Sequence, residues 1–260
     1  MKSNYFKYFI VIYISLFQSA MVQAYEINAV LDWSDKRSLG TTVNARVAAV
    51  NINVGDVVKE AELLLTLDDR YFKVKQREAI SSLHHAKLLL EEAEKDQERA
   101  IELYDRAVLS EFERHQADIA LAKEKSVFSK AKSAYDLATL DVEYSQIKAP
   151  FHSVILKVNT AVGEVIVNRI EANVLVEVAR ADEMIVRGFL SGEALSKLKV
   201  DQKVEVAFRG NWKEGVIKEL GLEPKKITEK VRFYEILVRL PIDPSLLPRA
   251  GELSAIRLPE

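Results

Sequence analysis

The chain has no cysteine in its 260 residues. That absence excludes disulfides, thiolate nucleophiles, cysteine-ligated zinc and a lipid anchor on an N-terminal cysteine. Glycine and proline are scarce, at 9 and 6 residues, so collagen-like and low-complexity chains are excluded. A formal net charge of -2 leaves no global basic field to hold nucleic acid. The histidines are His84, His85, His115 and His152, and no His-x-x-x-His or Glu-x-x-His spacing joins them. Beyond residue 24 the only methionine is Met184, which argues against a thioether metal site. The paired carboxylates Asp68-Asp69 and Glu91-Glu92 read as a helix start and a solvated helix face. Neither a glycine-rich phosphate loop nor a nucleophile motif occurs, so no catalytic residue, cofactor or metal is expected.

What is present begins with a targeting pattern. Lys2 and Lys7 precede an apolar run over residues 8–17, and Val22 and Ala24 are small enough for the −3 and −1 sites of signal cleavage. The run is short for a spanning helix, which needs about 20 apolar residues. Residues 1–24 are therefore expected to be a cleaved secretory signal, with an uncleaved inner-membrane anchor as the alternative. Either way the remaining chain works outside the cytoplasm.

Residues 71–143 contain no proline and no glycine, and strong helix formers dominate. Small and apolar residues recur at steps of three and four: Ala79, Leu83, Ala86, Leu90, Ala93, Ala100, Tyr104 and Ala107. A second series runs Ala117, Leu121, Phe128, Ala131, Tyr135, Ala138 and Val142. These are coiled-coil-like seams, narrow and alanine-rich. The break is expected near residues 108–111, where Ser110 with Glu113 spells a capping box for a second helix. An antiparallel hairpin of this length is a spacer that projects its tip far from its base.

An internal repeat flanks the hairpin. Val50-Asn51-Ile52-Asn53-Val54-Gly55-Asp56-Val57 precedes it, and Val158-Asn159-Thr160-Ala161-Val162-Gly163-Glu164-Val165 follows it. Each copy reads as two short strands about a glycine turn, with Gly55 and Gly163 as structural turn residues at which positive φ is expected. Two such halves form a small β-sandwich with pseudo-twofold symmetry. Pro150 marks the return from helix to strand. Farther on, residues 177–187, 204–208 and 233–238 alternate like strands, residues 191–198 read as a short helix, and residues 255–258 as a last strand.

The order of these motifs resembles the periplasmic adaptor, or membrane fusion protein, family of HlyD-like chains. The resemblance rests on Gly55-Asp56-Val57-Val58-Lys59, Leu63-Leu64-Leu65-Thr66-Leu67-Asp68, the hairpin, Ile147-Lys148-Ala149-Pro150-Phe151 and Val162-Gly163-Glu164. It implies an α+β fold: a lipoyl-like β-sandwich with an inserted long α-helical coiled-coil hairpin, plus a small C-terminal β-barrel domain. The expected division is signal 1–24, a strand segment 25–39 joining the barrel, lipoyl-like half 1 at 40–70, hairpin 71–143, half 2 at 144–175, and barrel 176–260. Two glycines often seen in the family are replaced here by Ala45 and Ser153.

Arg99, Leu103 and Ser110 match in type and spacing the tip motif of adaptors that dock on TolC-type outer-membrane channels. The resemblance therefore implies a non-enzymatic periplasmic adaptor bridging an inner-membrane transporter, of the proton-driven RND or ATP-driven ABC type, to such a channel. It also implies self-association into a ring, hexameric in the family, held at the inner membrane through the transporter. A type I protein-secretion adaptor is the alternative within the class. From other classes come a lipoyl- or biotin-carrier subunit and a plain coiled-coil scaffold. In true carriers the modified lysine sits on the turn between the halves; here the hairpin replaces that turn, so no lipoylation or biotinylation is expected.

Overall fold

The computed structural model describes residues 25–168, 173–228, 231–246 and 248–258. The expected signal, residues 1–24, lies outside the described residues. In chain order the first strands are β1 (Tyr25–Trp33), β2 (Arg37–Leu39), β3 (Ala45–Val50), β4 (Val57–Val58) and β5 (Leu63–Leu67). Two helices follow, α1 (Arg70–Asp105) and α2 (Glu111–Tyr144), then β6 (Gln146–Lys148), β7 (Ser153–Val158), β8 (Val165–Ile166) and β9 (Val176–Arg180). The chain continues with β10 (Glu183–Ser191), α3 (Gly192–Leu195), β11 (Lys203–Phe208), β12 (Asn211–Ile227), β13 (Arg232–Pro241) and β14 (Leu253–Leu258). It divides into two compact units, Asp35–Arg180 and the segments on either side of it.

Within Asp35–Arg180 the repeat builds the strands. Two four-stranded sheets, in the orders β2-β9-β7-β4 and β6-β5-β3-β8, share one apolar core. Each half lends a strand to the other half's sheet. β4 pairs with β7 while β8 pairs with β3. The turn bonds repeat this exchange. Gly55 N–H donates to Ile155 O and Ile155 N–H to Asp56 O; Gly163 N–H donates to Val47 O and Val47 N–H to Glu164 O. One set is the image of the other under the same shift along the sequence, which is the pseudo-twofold expected of the repeat. Leu64, Leu65, Leu67, Ile155 and Val178 fill the core, each contributing about 1.5–3 kcal/mol by leaving water. The two substituted positions fit without strain. Ala45 pairs with Ile166, and the fully buried Ser153 satisfies its hydroxyl on Phe151 O at 2.6 Å.

In the other unit, β1-β10-β13-β12-β11-β14 close into a barrel. Period-two alternation aims Ile27, Ala29, Leu31, Val186, Val206, Val238 and Ile256 inward. Gly188 occupies an inward position where a Cβ would lie 2.8 Å from Ile27 Cδ1, so any larger residue there makes that side chain shift. The short helix α3 starts at Ser191, whose hydroxyl accepts from Ala194 N–H at 3.3 Å.

The boundaries differ from the sequence-based division. β2 pairs with β9, so residues 37–39 belong to the sandwich and not to the barrel-joining segment, and the sandwich extends through Arg180. The run 177–187 is two strands, β9 and β10, in different sheets. Apolar alternation is the same in both. The break falls at Ala181-Asp182, which carries no glycine or proline to mark it.

Candidate functional site

Helices α1 and α2 are inserted where β5 would otherwise turn into β6. Those strands pair directly through Leu65↔Ile147 and Thr66↔Gln146. Each helix is long, 36 and 34 residues, so α1 spans about 54 Å. The helices run antiparallel in one register, fixed by two polar cross-links. Gln76 Nε2 donates to Thr139 Oγ1 at 3.1 Å and Gln97 Nε2 to Asp118 Oδ1 at 2.9 Å. With Gln76 and Gln97 counted in, the inward face of α1 repeats every three and four residues through Phe72, Ala79, Leu83, Ala86, Leu90, Ala93 and Ala100. It meets Ala117, Leu121, Phe128, Ala131, Tyr135, Ala138 and Val142. Only Phe72, Ala86, Ala100 and Ala138 are fully buried, because alanine brings the backbones close but covers little surface.

The far end is built by two caps. α1 closes with Ala107 N–H on Tyr104 O at 2.8 Å and Val108 N–H on Leu103 O at 2.9 Å. This is the Schellman pattern, and Ala107 takes the left-handed conformation at φ 57, where glycine is usual. α2 opens at Ser110, whose side chain and that of Glu113 form a reciprocal capping box. Both bonds from Ser110, the hydroxyl's first and the backbone amide's second, lower the Glu113 carboxyl below its ordinary value.

The three tip residues expected from sequence lie in this region in different states. Arg99 is exposed and its guanidinium reaches Asp96 Oδ1 at 2.9 Å. Leu103 is half-buried, and its carbonyl anchors the turn. Ser110 is exposed, with its hydroxyl committed to the capping box. The seam reading places Tyr104 and Ala107 inward; Tyr104, in the last turn of α1, is 39% exposed, and Ala107 is exposed because α1 ends at Asp105 and the chain then turns. Two apolar side chains stand out beside them: Val108, which interrupts the seam at the expected break, and Phe112, which sequence reasoning did not name, each 70% exposed. Arg114 lies over the Tyr104 ring at 5.2 Å and reaches Asp118 Oδ2 at 3.7 Å. The tip thus offers two apolar knobs, with the exposed Arg99 guanidinium below them, on a turn whose backbone is held by its own caps.

At the base, Gly55 and Gly163 have φ of 94 and 91, and no atom lies within 4 Å of where a Cβ would stand. Their role is conformational. Asp56 and Glu164 close the two turns alike, accepting from Asn53 N–H at 2.7 Å and Ala161 N–H at 3.1 Å. Among the described residues no group of three or more His, Asp or Glu side chains could hold a metal ion. Among the same residues no helix is long and apolar enough to cross a membrane.

Comparison with known proteins agrees with this geometry. The sequence model of the family described as RND MFP, barrel-sandwich hybrid domain, matches residues 35–178. The macrolide export protein MacA of Yersinia pestis is 25% identical over 84% of this chain, and its counterpart in Escherichia coli O157:H7 is 21% identical over 78%. The chain spans 63% and 60% of the length of those two relatives. Among solved structures, the membrane fusion protein Spr0693 of Streptococcus pneumoniae R6 superposes with a TM-score of 0.66 at 14% identity, covering 91% of this chain and 99% of that one. A MacA-MexA chimera carrying the Pseudomonas aeruginosa MexA α-hairpin domain gives 0.64 at 15% identity, covering 92% and 79%.

Proposed function

The chain belongs to the membrane fusion protein, or periplasmic adaptor, family, and from that premise we propose that it is the non-enzymatic adaptor of an efflux-type export system, bridging an inner-membrane transporter to a TolC-type outer-membrane channel. The observation that carries this reading is the tip. A spacer about 54 Å long ends in a well-capped turn that leaves Val108, Phe112 and the Arg99 guanidinium facing outward. A helix pair with so thin a seam does little for the stability of its own unit, so its use lies in reach. Arg99 supplies a fork of donors for carboxylates or carbonyl oxygens at the ends of channel helices. The apolar knobs supply area that leaves water on docking. Docking opens the channel only if the tip binds the open form more tightly than the closed one.

The sandwich and barrel provide the base, and copies assemble side by side into a ring. The relatives named for macrolide export make a small-molecule substrate the leading choice for this chain. The test is export by cells carrying Arg99→Asp together with Val108→Ser. Both positions are exposed, where substitutions change stability by about 0.5 kcal/mol or less, so protein level and melting should stay near wild type while export is lost. Full export by the double variant would contradict tip docking.

A further inference from the structure

At one end of the barrel β12 and β13 continue as a ribbon. Ile217 is the last residue of β12 bonded to the β11 side, through Gln202 and Asp201; beyond it β12 pairs with β13 alone and the register slips. From Leu220 to Pro224 β12 advances four residues while β13 advances two, from Ile236 to Tyr234. The two extra residues push Leu222 out of the ribbon, to 94% exposure. Ile227, in the last paired rung, is 67% exposed. Pro224 and the bulges spoil the free edge of β12 for a further strand, so these side chains are not displayed to guide strand addition.

Charge of one sign accompanies them. Lys225, Lys226 and Arg232 are exposed beside Leu222 and Ile227. Arg187, Arg239 and Arg257 of the barrel wall are spent on Glu235, Asp201 and Glu205, whereas the three ribbon cations reach no carboxylate among the described residues. Lys197 and Lys199 follow α3 at the same end. Residues 197–200 and 222–232 together hold six basic and two acidic residues, and Glu193 of α3 does not reverse the sign.

This is also the end at which β1 begins. Tyr25, Ser191, Lys197 and Leu258 line one cleft, Ser191 is level with Phe233, and Phe233 with Lys226. The segment before Tyr25, with its apolar run over residues 8–17, therefore joins the barrel where the ribbon stands. The composition separates a lipid surface from a protein one. Protein interfaces are depleted in lysine and enriched in aromatic residues; here the projecting side chains are leucine, isoleucine and lysine. Aliphatic tips with lysine stems that lift their ammonium groups suit an apolar layer beneath an anionic one.

We propose that this end of the barrel docks on the anionic phospholipids of the inner membrane, with Leu222 and Ile227 entering the acyl boundary and Lys225, Lys226 and Arg232 held at the phosphates. The inference rests on the adaptor reading for the membrane that the chain stands beside, and it gives that adaptor a hold on lipid besides its hold on the transporter. Each contact is weak alone, and copies in a ring multiply it.

The test uses the full chain, which has no native cysteine, with Leu222→Cys carrying an environment-sensitive fluorophore. Vesicles of phosphatidylcholine with phosphatidylglycerol should shift the emission to the blue, and vesicles of phosphatidylcholine alone should not. The same label at Leu253→Cys, 88% exposed at the other end of β14, should not respond. Lys225→Gln with Lys226→Gln should raise the lipid needed for half the shift about thirtyfold, the equivalent of about 1 kcal/mol for each basic residue, and salt should do the same. Both positions are exposed, so melting should stay near wild type. No shift at 222, an equal shift at 253, or an equal shift on neutral lipid would overturn the proposal. A shift on native inner-membrane vesicles but not on protein-free lipid would also overturn it and give the ribbon to a protein partner. Failure of tip docking leaves the shift at 222 unchanged, so the two readings fail separately.

Discussion

Ser110 and Glu113 hold each other at the head of α2: the Ser110 hydroxyl donates to Glu113 Oε2 at 2.7 Å, the Ser110 amide donates to the same oxygen at 2.9 Å, and the Glu113 amide returns a bond of 3.3 Å to the hydroxyl. Read as part of the tip motif, Ser110 would face a channel, yet its hydroxyl already donates and accepts within the cap. Ser110→Ala should therefore lower stability by about 1 kcal/mol, and Ser110→Asp should retain most of it. Denaturant unfolding followed by helix content checks this. An alanine variant that keeps full stability but loses export would return the hydroxyl to the channel contact.

Acid should weaken the same cap. The Ser110 bonds hold the Glu113 carboxyl below its ordinary value of 4.5. A carboxyl lowered in the folded state contributes stability that is present above that value and disappears as the pH falls through the folded one. The melting difference between wild type and Glu113→Gln should be constant above pH 4.5 and narrow below it. A difference that widens on acidification would contradict the assignment.

Ala107 sits at φ 57 in the cap of α1. A residue with a Cβ is strained there by about 1 kcal/mol relative to glycine. Ala107→Gly should raise the stability of the helix pair by about that amount, and Ala107→Val should lower it. Thermal melting of the two variants against wild type reads the sign directly.

At the base, Gly55 and Gly163 hold φ of 94 and 91 with open space around the missing Cβ. Substitution is penalised by backbone conformation and not by collision. Gly55→Ala and Gly163→Ala should each cost about 1–2 kcal/mol, alike in size because the turns are images of each other, and asparagine should cost less than alanine at either site. Chemical denaturation measures both. Strongly unequal costs would mean that the repeat's symmetry does not extend to its energetics.

Much of this architecture was legible because its signals are local and repeated. The shared Val-Gly-acid-Val of residues 54–57 and 162–165 located both turns. The alanine spacing from Ala79 to Ala100 located the seam, and Ser110 with Glu113 located the second helix. What escaped reading lacked such marks. The end of α1 has no glycine, so Ala107 continued the apolar count although the backbone had already turned. The polar residues that set the helix register, Gln76 and Gln97, broke the apolar pattern and were passed over, though they carry the cross-links. The division between β9 and β10 depends on which sheet each strand joins, a long-range choice that alternation alone does not encode.

The central claim, that the turn between α1 and α2 meets an outer-membrane channel, is tested most directly by proximity in living cells. With no native cysteine in the chain, Val108→Cys places one thiol at the tip, and a short bifunctional maleimide can join it to cysteines placed on the channel's periplasmic end. The account predicts a covalent adaptor–channel product from position 108 and none from Val54→Cys at the base, an equally open site on a sandwich turn. Absence of the product from position 108, with both proteins present and export intact, would contradict it.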